Sequence, residues 1–208
     1  MSNWAKEIEN DLDWRWSELA SIKIQIVKAD KGSVRYEALL RALVVLLYAH
    51  YEGFCKFSWD LYLDTLEKQQ LKRKDCDDRI VRLSLNKKFK ELKSDLSPQG
   101  VWDFFTTHFP LLMDDHLEFK VRLETQSNLW PNLLKANSQE VGLSCAMADY
   151  HESLLKALVR RRNDIAHGRR ELIRDLDEYE KYENAAFDAM YELGLSVVDC
   201  LEGKSYLK

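Results

Sequence analysis

A chain of 208 residues with 46% hydrophobic and 32% charged side chains has material for one packed domain and is too apolar to stay disordered. Seven glycines and three prolines are too few to turn an all-β sandwich, so long helices are expected. The formal net charge of −4 gives no global attraction for nucleic acid, and any such binding must come from a local patch.

The first predicted element is an amphipathic helix over residues 4–28, where Ile8, Leu12, Trp16, Leu19, Ile22 and Ile26 recur at three- and four-residue steps. Lys31-Gly32-Ser33 breaks it. A longer helix runs from Val34 to about Lys68. Its centre, Leu39 to Ala49, is apolar nearly all round, which marks the most buried helix of the fold. His50-Tyr51-Glu52-Gly53-Phe54 interrupts that run. His50 and Glu52 are either satisfied locally or turned outward; alternatively Glu52 faces the Arg160–Arg162 end of a later helix and orients it.

Residues 68–93 carry ten Lys or Arg against four acids. A solvated helix–loop–helix face is one explanation and phosphate contact the other. Residues 94–143 are the least regular. Ser97 as cap and Pro98 at the first helical position start a short helix through Phe105. Leu117 to Leu123 alternates apolar and polar, as a short strand or a helix edge would. Another short helix begins at Trp130-Pro131 and ends by Gly142. A helix from about Ser144 to His167 follows, with Gly168 at the position where a helix closes left-handed. After a loop, Asp175 and Glu178 form a capping-box-like start, and the last helix runs to about Leu201. The expected architecture is a single all-α domain over residues 1–208, with four or five long helices and an irregular insertion near 94–143.

Cys55, Cys76, Cys145 and Cys200 form no CxxC pair and no Cys/His cluster. Reduced thiols in a cytoplasmic protein are expected, with no disulfide, no metal and no cofactor. Met1 to Glu7 lacks the apolar core of a signal peptide, and the longest apolar run, Ala42 to Ala49, is too short to span a bilayer, so no membrane association is expected.

The chemistry concentrates in Leu158-Val159-Arg160-Arg161-Arg162-Asn163-Asp164-Ile165-Ala166-His167-Gly168. Arg162 stands before His167 with four residues between them. Arginine offers a planar fork of donors that matches phosphate and stays charged. Histidine can give or take a proton. Together they suit metal-free RNA cleavage, the histidine moving the proton and the arginine stabilising charge on the phosphate. Seven positive residues between Lys156 and Arg174 face only Asp164 and Glu171. Arg160, Arg161, Arg169, Arg170 and Lys156 are the candidate RNA-binding residues of that patch. The bland alternative is that arginines near a helix end are favoured by its dipole and that His before Gly is ordinary capping. Residues five apart on a helix also point about 140° apart, so one helix presents Arg162 and His167 poorly to one phosphate. Two copies meeting across a dimer axis would solve this.

Arg162-Asn163-Asp164-Ile165-Ala166-His167 resembles the Arg-x4–6-His motif of the HEPN superfamily, in its Arg-Asn-x-x-x-His form. Val45 to Lys56, an apolar run closing in Tyr51-Glu52-Gly53-Phe54, resembles the second-helix signature of the MAE-like, or RiboL-PSP, branch. The resemblance implies a four-helix core, a homodimer with a composite cleft, and metal-independent endoribonuclease activity leaving a 2′,3′-cyclic phosphate. It also implies a toxin–antitoxin or anti-phage setting, with an antitoxin or defence-system partner. Arg162 and His167 match the catalytic pair and Asn163 the polar residue after the arginine, although Arg160 and Arg161 also satisfy the spacing. Glu52 belongs to the second-helix signature as a possible orienting residue. Arg169 stands where one HEPN subtype carries a modified tyrosine, which argues against that pairing. The competing function is a non-catalytic RNA-binding or dimerising HEPN module. A small-molecule sensor ranks third, because no glycine-rich phosphate loop is present.

Overall fold

The computed structural model describes residues 3–94, 96–170 and 173–208. Helix α1 spans Asn3–Val27 and α2 Val34–Lys68. Ser33 starts α2 by accepting the Tyr36 N–H at 3.1 Å. The apolar run within α2 is the centre of the core: Leu40, Leu43, Leu47, Tyr51, Phe54, Trp59 and Leu63 are fully buried. By length and composition α2 could cross a membrane, and half of its most apolar window is buried in this fold. Short elements follow: α3 (Asp78–Ser84), α4 (Asn86–Ser94), α5 (Pro98–Asp103), a π turn (Phe104–His108), α6 (Phe109–Asp114) and α7 (Pro131–Glu140). Then come α8 (Ala146–Tyr150), α9 (Glu152–Ala166) and α10 (Leu176–Gly203). Helices α1, α9 and α10 pack on α2. The fold is all-α, and the described residues contain no strand, only the isolated bridges Lys72–His116 and Cys76–Leu207.

Three local expectations change. Residues 117–123 form neither strand nor helix. Leu117, Phe119 and Leu123 are buried in alternation, but the partner is a side chain: Glu67 of α2 accepts the Phe119 N–H at 2.5 Å and pairs with Arg122 at 3.0 Å. A lone extended segment has no neighbouring strand, so a carboxylate from α2 satisfies its backbone. The helix expected from Ser144 to His167 is broken at His151. Two acids of α10 seat the first piece separately. Glu192 accepts the N–H groups of Ala146 at 2.8 Å and Met147 at 2.7 Å, and Asp188 lies 2.8 Å from the His151 ring. The helix from Pro98 does not stop at Phe105; it continues through the π turn and α6 to Asp114.

Helix α1 approaches α2 closely at Gly53, where a Cβ would lie 3.0 Å from Arg15 Nη1. The buried Arg15 is held by Asp11 at 2.8 and 3.0 Å and donates to the His50 carbonyl. His50 is buried with Glu18 3.0 Å from its Nε2; burial first, then the Arg15 charge, holds its imidazole below the ordinary range. His50 therefore turns inward, and its Nε2 has Glu18 as a neighbour but no hydrogen-bond partner among the described residues.

Helix α10 starts at Asp175, whose side chain accepts the Glu178 N–H at 2.9 Å. Glu178 does not return the bond to Asp175. It accepts the Arg174 N–H at 2.9 Å and pairs with Arg161 of α9 at 2.6 Å, tying α9 to α10. Burial pushes the Glu178 carboxyl up, but hydrogen bonds from Arg174 and the charges of Arg161 and Arg174 outweigh it and hold it below the usual carboxylate range. A group depressed on folding contributes stability that is present above its unfolded value, about 4.3, and lost as pH falls through the folded value. The urea midpoint should therefore fall as the pH drops below about 4.3. Glu178→Gln should flatten that part of the profile while lowering stability at neutral pH.

Candidate active site around Arg162 and His167

Helix α9 buries Leu155, Leu158 and Val159. Arg162 comes three and four residues after the last two, so it continues their face toward α2. Its guanidinium lies 4.3 Å over the Tyr48 ring. Nη1 donates to Asn128 Oδ1 at 2.9 Å and to Asn163 Oδ1 at 2.8 Å, which uses both of its hydrogens. Nη2 is 3.9 Å from Glu52 Oε2, an ion pair too long to be a hydrogen bond. Among the described residues no hydrogen bond takes Nε or Nη2. The Arg162 side chain is 26% exposed.

Tyr48 and Glu52 sit four apart on α2, and both meet the guanidinium. The Tyr48 hydroxyl accepts the buried Leu129 N–H at 2.8 Å. Burial first, and the nearby Glu52 carboxylate, push the phenol up to about 12, so it stays protonated at any working pH. Asn128 and Leu129 belong to the irregular 94–143 segment, which thus supplies one wall of the site. Neither Tyr48 nor Asn128 stood out in the sequence. Tyr48 sits in an apolar run and reads as core; its four-residue spacing from Glu52 was the available signal. Asn128 carries no local signal, being 34 residues from Arg162 in an irregular loop.

His167 caps α9 and is exposed. Its N–H donates to the Asn163 carbonyl at 2.9 Å. Gly168 follows in the left-handed region at φ +75°, a conformation that favours glycine. Asn163 thus serves both functional groups: its amide oxygen holds the Arg162 fork, and its carbonyl holds the backbone of His167. The helix turns Arg162 toward α2 and leaves His167 at the surface, as the five-residue spacing requires.

The other basic candidates differ in what occupies them. Arg161 does not join the patch. It pairs with Glu178, donates to the Tyr182 hydroxyl at 3.0 Å and lies 5.6 Å over that ring, so its charge is spent on α10. Adjacent helix residues point about 100° apart, so Arg161 and Arg162 cannot both face α2. Arg160 is exposed and makes no ion pair or hydrogen bond among the described residues. Lys156 pairs with Glu152 at 2.6 Å, and the mostly exposed Arg169 and Arg170 pair with Asp164 and Glu37. Glu171, one of the two acids counted against the patch, lies outside the described residues. Among the described residues, no three or more His, Cys, Asp or Glu group as metal ligands would.

The family model described as HEPN_MAE_28990/-like HEPN matches residues 4–206, which includes both the Arg162–His167 segment and the irregular stretch. No curated protein and no solved structure matches the chain.

Tyr48→Phe keeps the ring under Arg162 but leaves the Leu129 N–H without its acceptor. It should cost about 1–3 kcal/mol, read as a lower urea midpoint at unchanged m-value.

Proposed function

Because the chain belongs to the MAE-like HEPN family, we propose that it is an endoribonuclease that cleaves RNA without a metal ion, acting as a homodimer whose two sites meet in one cleft. The observation that carries this proposal is the preorganised Arg162 fork, held by Tyr48, Asn128 and Asn163, with no hydrogen bond to Nε or Nη2 among the described residues. A phosphate oxygen pair fits the Nε–Nη2 edge.

In the proposed step, His167 takes the proton from a ribose 2′-hydroxyl, and the 2′-oxygen attacks the adjacent phosphorus. The bond from phosphorus to the 5′-oxygen breaks. That oxygen leaves with a proton from an acid, and the products are a 2′,3′-cyclic phosphate and a 5′-hydroxyl. Arg162 stabilises the extra negative charge on the equatorial oxygens as they become more basic. Asn163 and Glu52 are positioning residues, since they touch Arg162 and act through it. A second copy would supply the acid, because Arg162 and His167 of one chain point apart. Arg160, Arg169, Arg170 and Lys156 would guide the strand by charge. We further propose a cytoplasmic toxin or anti-phage effector, restrained by an antitoxin or defence-system partner, because an unrestrained ribonuclease would degrade the host's own RNA.

The competing function is a non-catalytic RNA-binding or dimerising module. One contact favours it: Arg162 bonds Asn128 and so also pins the irregular segment, which a purely structural arginine would do.

The test is labelled RNA incubated in EDTA with wild type, His167→Ala, Arg162→Ala and Arg162→Lys. Wild type should produce cyclic-phosphate ends. His167→Ala should lose at least about 100-fold in rate. It should melt within about 2 °C of wild type, since the ring is exposed and caps only through its backbone. Arg162→Lys should be nearly as inactive as Arg162→Ala, because a point charge cannot replace the fork. RNA bound but intact, with His167→Ala binding equally well, would establish the binding module instead.

A further inference from the structure

Several cations of the basic run at 68–93 are matched by acids. Lys72 and Lys74 pair with Asp114, and Arg79 with Asp77. Arg73, in the 3-10 turn Arg73–Asp75 between α2 and α3, is different. It is 6% exposed, yet it makes no ion pair among the described residues. Its side-chain hydrogen bonds go to neutral acceptors: Nε donates to Ser84 Oγ at 2.9 Å and Nη1 to the Leu112 carbonyl at 3.0 Å. Ser84 gives its own hydrogen to the Val81 carbonyl at 3.0 Å, so it brings no charge to the arginine. Arginine carries five N–H donors, which leaves three of Arg73's without an acceptor among the described residues. A guanidinium is seldom buried without a counter-charge, because its lost hydration is then uncompensated. Burial holds Arg73 below the ordinary arginine range, and the charges of Asp115 and Glu118 offset only part of that.

Arg73 lines a cavity of about 180 Å³ together with Lys87 and Lys88 of α4 and Lys120 of the irregular segment. Three acids line it too, and two of them are already matched. Glu91 pairs with Lys88 at 2.9 Å and Glu118 with Lys120 at 3.4 Å. That leaves two cations without an ion pair, Arg73 and Lys87, against Asp115 alone. A second cleft of about 360 Å³ shares Lys88, Glu91 and Leu112 with this cavity and adds Phe104, His108 and Leu111.

We infer that the Arg73 cavity is a binding site for a small phosphate-bearing ligand, held chiefly by Arg73 and Lys87. Three features select this occupant. Guanidinium donors without acceptors match a pair of phosphate oxygens, and a lysine adds a point charge. The volume lies below the roughly 300 Å³ at which sites for larger organic ligands begin, so it suits one phosphate group and not a length of RNA backbone. A metal or ammonium ion would be repelled by a buried guanidinium that no acid pairs. The neighbouring cleft, with Phe104 and Leu111, offers space for an apolar body attached to the phosphate. None of these residues belongs to the Arg162 site, so the inference stands apart from the nuclease proposal.

The experiment is isothermal titration calorimetry of the full chain with inorganic phosphate and with adenosine 5′-monophosphate, each against sodium chloride of equal ionic strength. Wild type should bind one phosphate per chain at this site, tighter than roughly 1 mM. Lys87→Glu should weaken binding roughly tenfold or more. Lys90→Glu makes the same charge change on α4 outside this cavity and should stay within about twofold of wild type. Arg73→Lys keeps the charge but loses the fork, and should also lose roughly tenfold. A thermal melt checks its folding; should it unfold, Lys87→Glu still decides, since that side chain is exposed. Arg162→Ala should bind as wild type does. Equal affinity for the two ligands assigns the site to free phosphate, and a tighter monophosphate assigns the attached group to the neighbouring cleft; both support the inference. No saturable binding of either ligand overturns it and leaves Arg73 as a structural cation. Equal losses in Lys87→Glu and Lys90→Glu overturn it as diffuse surface attraction. Binding that vanishes in Arg162→Ala and survives Lys87→Glu also overturns it, because the phosphate then sits at the candidate active site. Only binding is read, so a wild type that fails to cleave RNA sinks the nuclease proposal without touching this one.

Discussion

The contact on which this structure turns is the Arg162 guanidinium laid across the Tyr48 ring. Helix α2 is apolar because it must be covered on nearly every side, yet at Tyr48 and Glu52 it presents one polar strip to α9. A cation from α9 fits that strip with its flat face on the ring and its edges toward acceptors. The irregular segment then closes over the same point, since Asn128 takes the guanidinium and Leu129 gives its N–H to the Tyr48 hydroxyl. Three parts of the chain are thus registered against one another by a single charged group that is only partly exposed.

The neighbouring arginines show how helix geometry divides labour. Arg160, Arg161 and Arg162 are chemically identical and consecutive. About 100° separates each from the next, so one meets solvent, one meets α10 and one meets α2. Arg161 finds Glu178, which the α10 start has already charged with holding the Arg174 N–H. Only Arg162 lands beside a tyrosine face and a second-helix glutamate. The break at His151 assists this, because it frees the short α9 from the direction of α8 and lets acids of α10 seat each piece on its own.

The 94–143 stretch is more than a decoration on a helical core. One end of it forms α5, the π turn and α6, braced on α4 through Phe104 and Phe89. Its middle has no regular structure and borrows Glu67 to satisfy its backbone. Its far end builds a wall of the Arg162 site. Part of the basic run is consumed in holding the segment, since Lys72 and Lys74 pair with Asp114.

Much of this was legible in the sequence because it depends on local rules. Three- and four-residue apolar spacing specifies α1, the apolar run specifies α2, Ser97 and Asp175 announce helix starts, and Gly168 announces an end, since each acts within one turn of backbone. The Arg162-to-His167 spacing and the Tyr51-Glu52-Gly53-Phe54 signature likewise point to the family that the chain belongs to. Tertiary structure alone decided which arginine faces α2, that Tyr48 is a platform rather than plain core, and that Asn128 completes the site. At 117–123, where a strand or a helix edge was open, it set an extended segment satisfied by a glutamate. The physical reason is the same in each case. A helix or a cap is written by neighbours in sequence, whereas the partner of a guanidinium, a phenol or an orphan N–H is whatever polar group the packing brings within 3 Å, and here that group comes from 34 to 81 residues away.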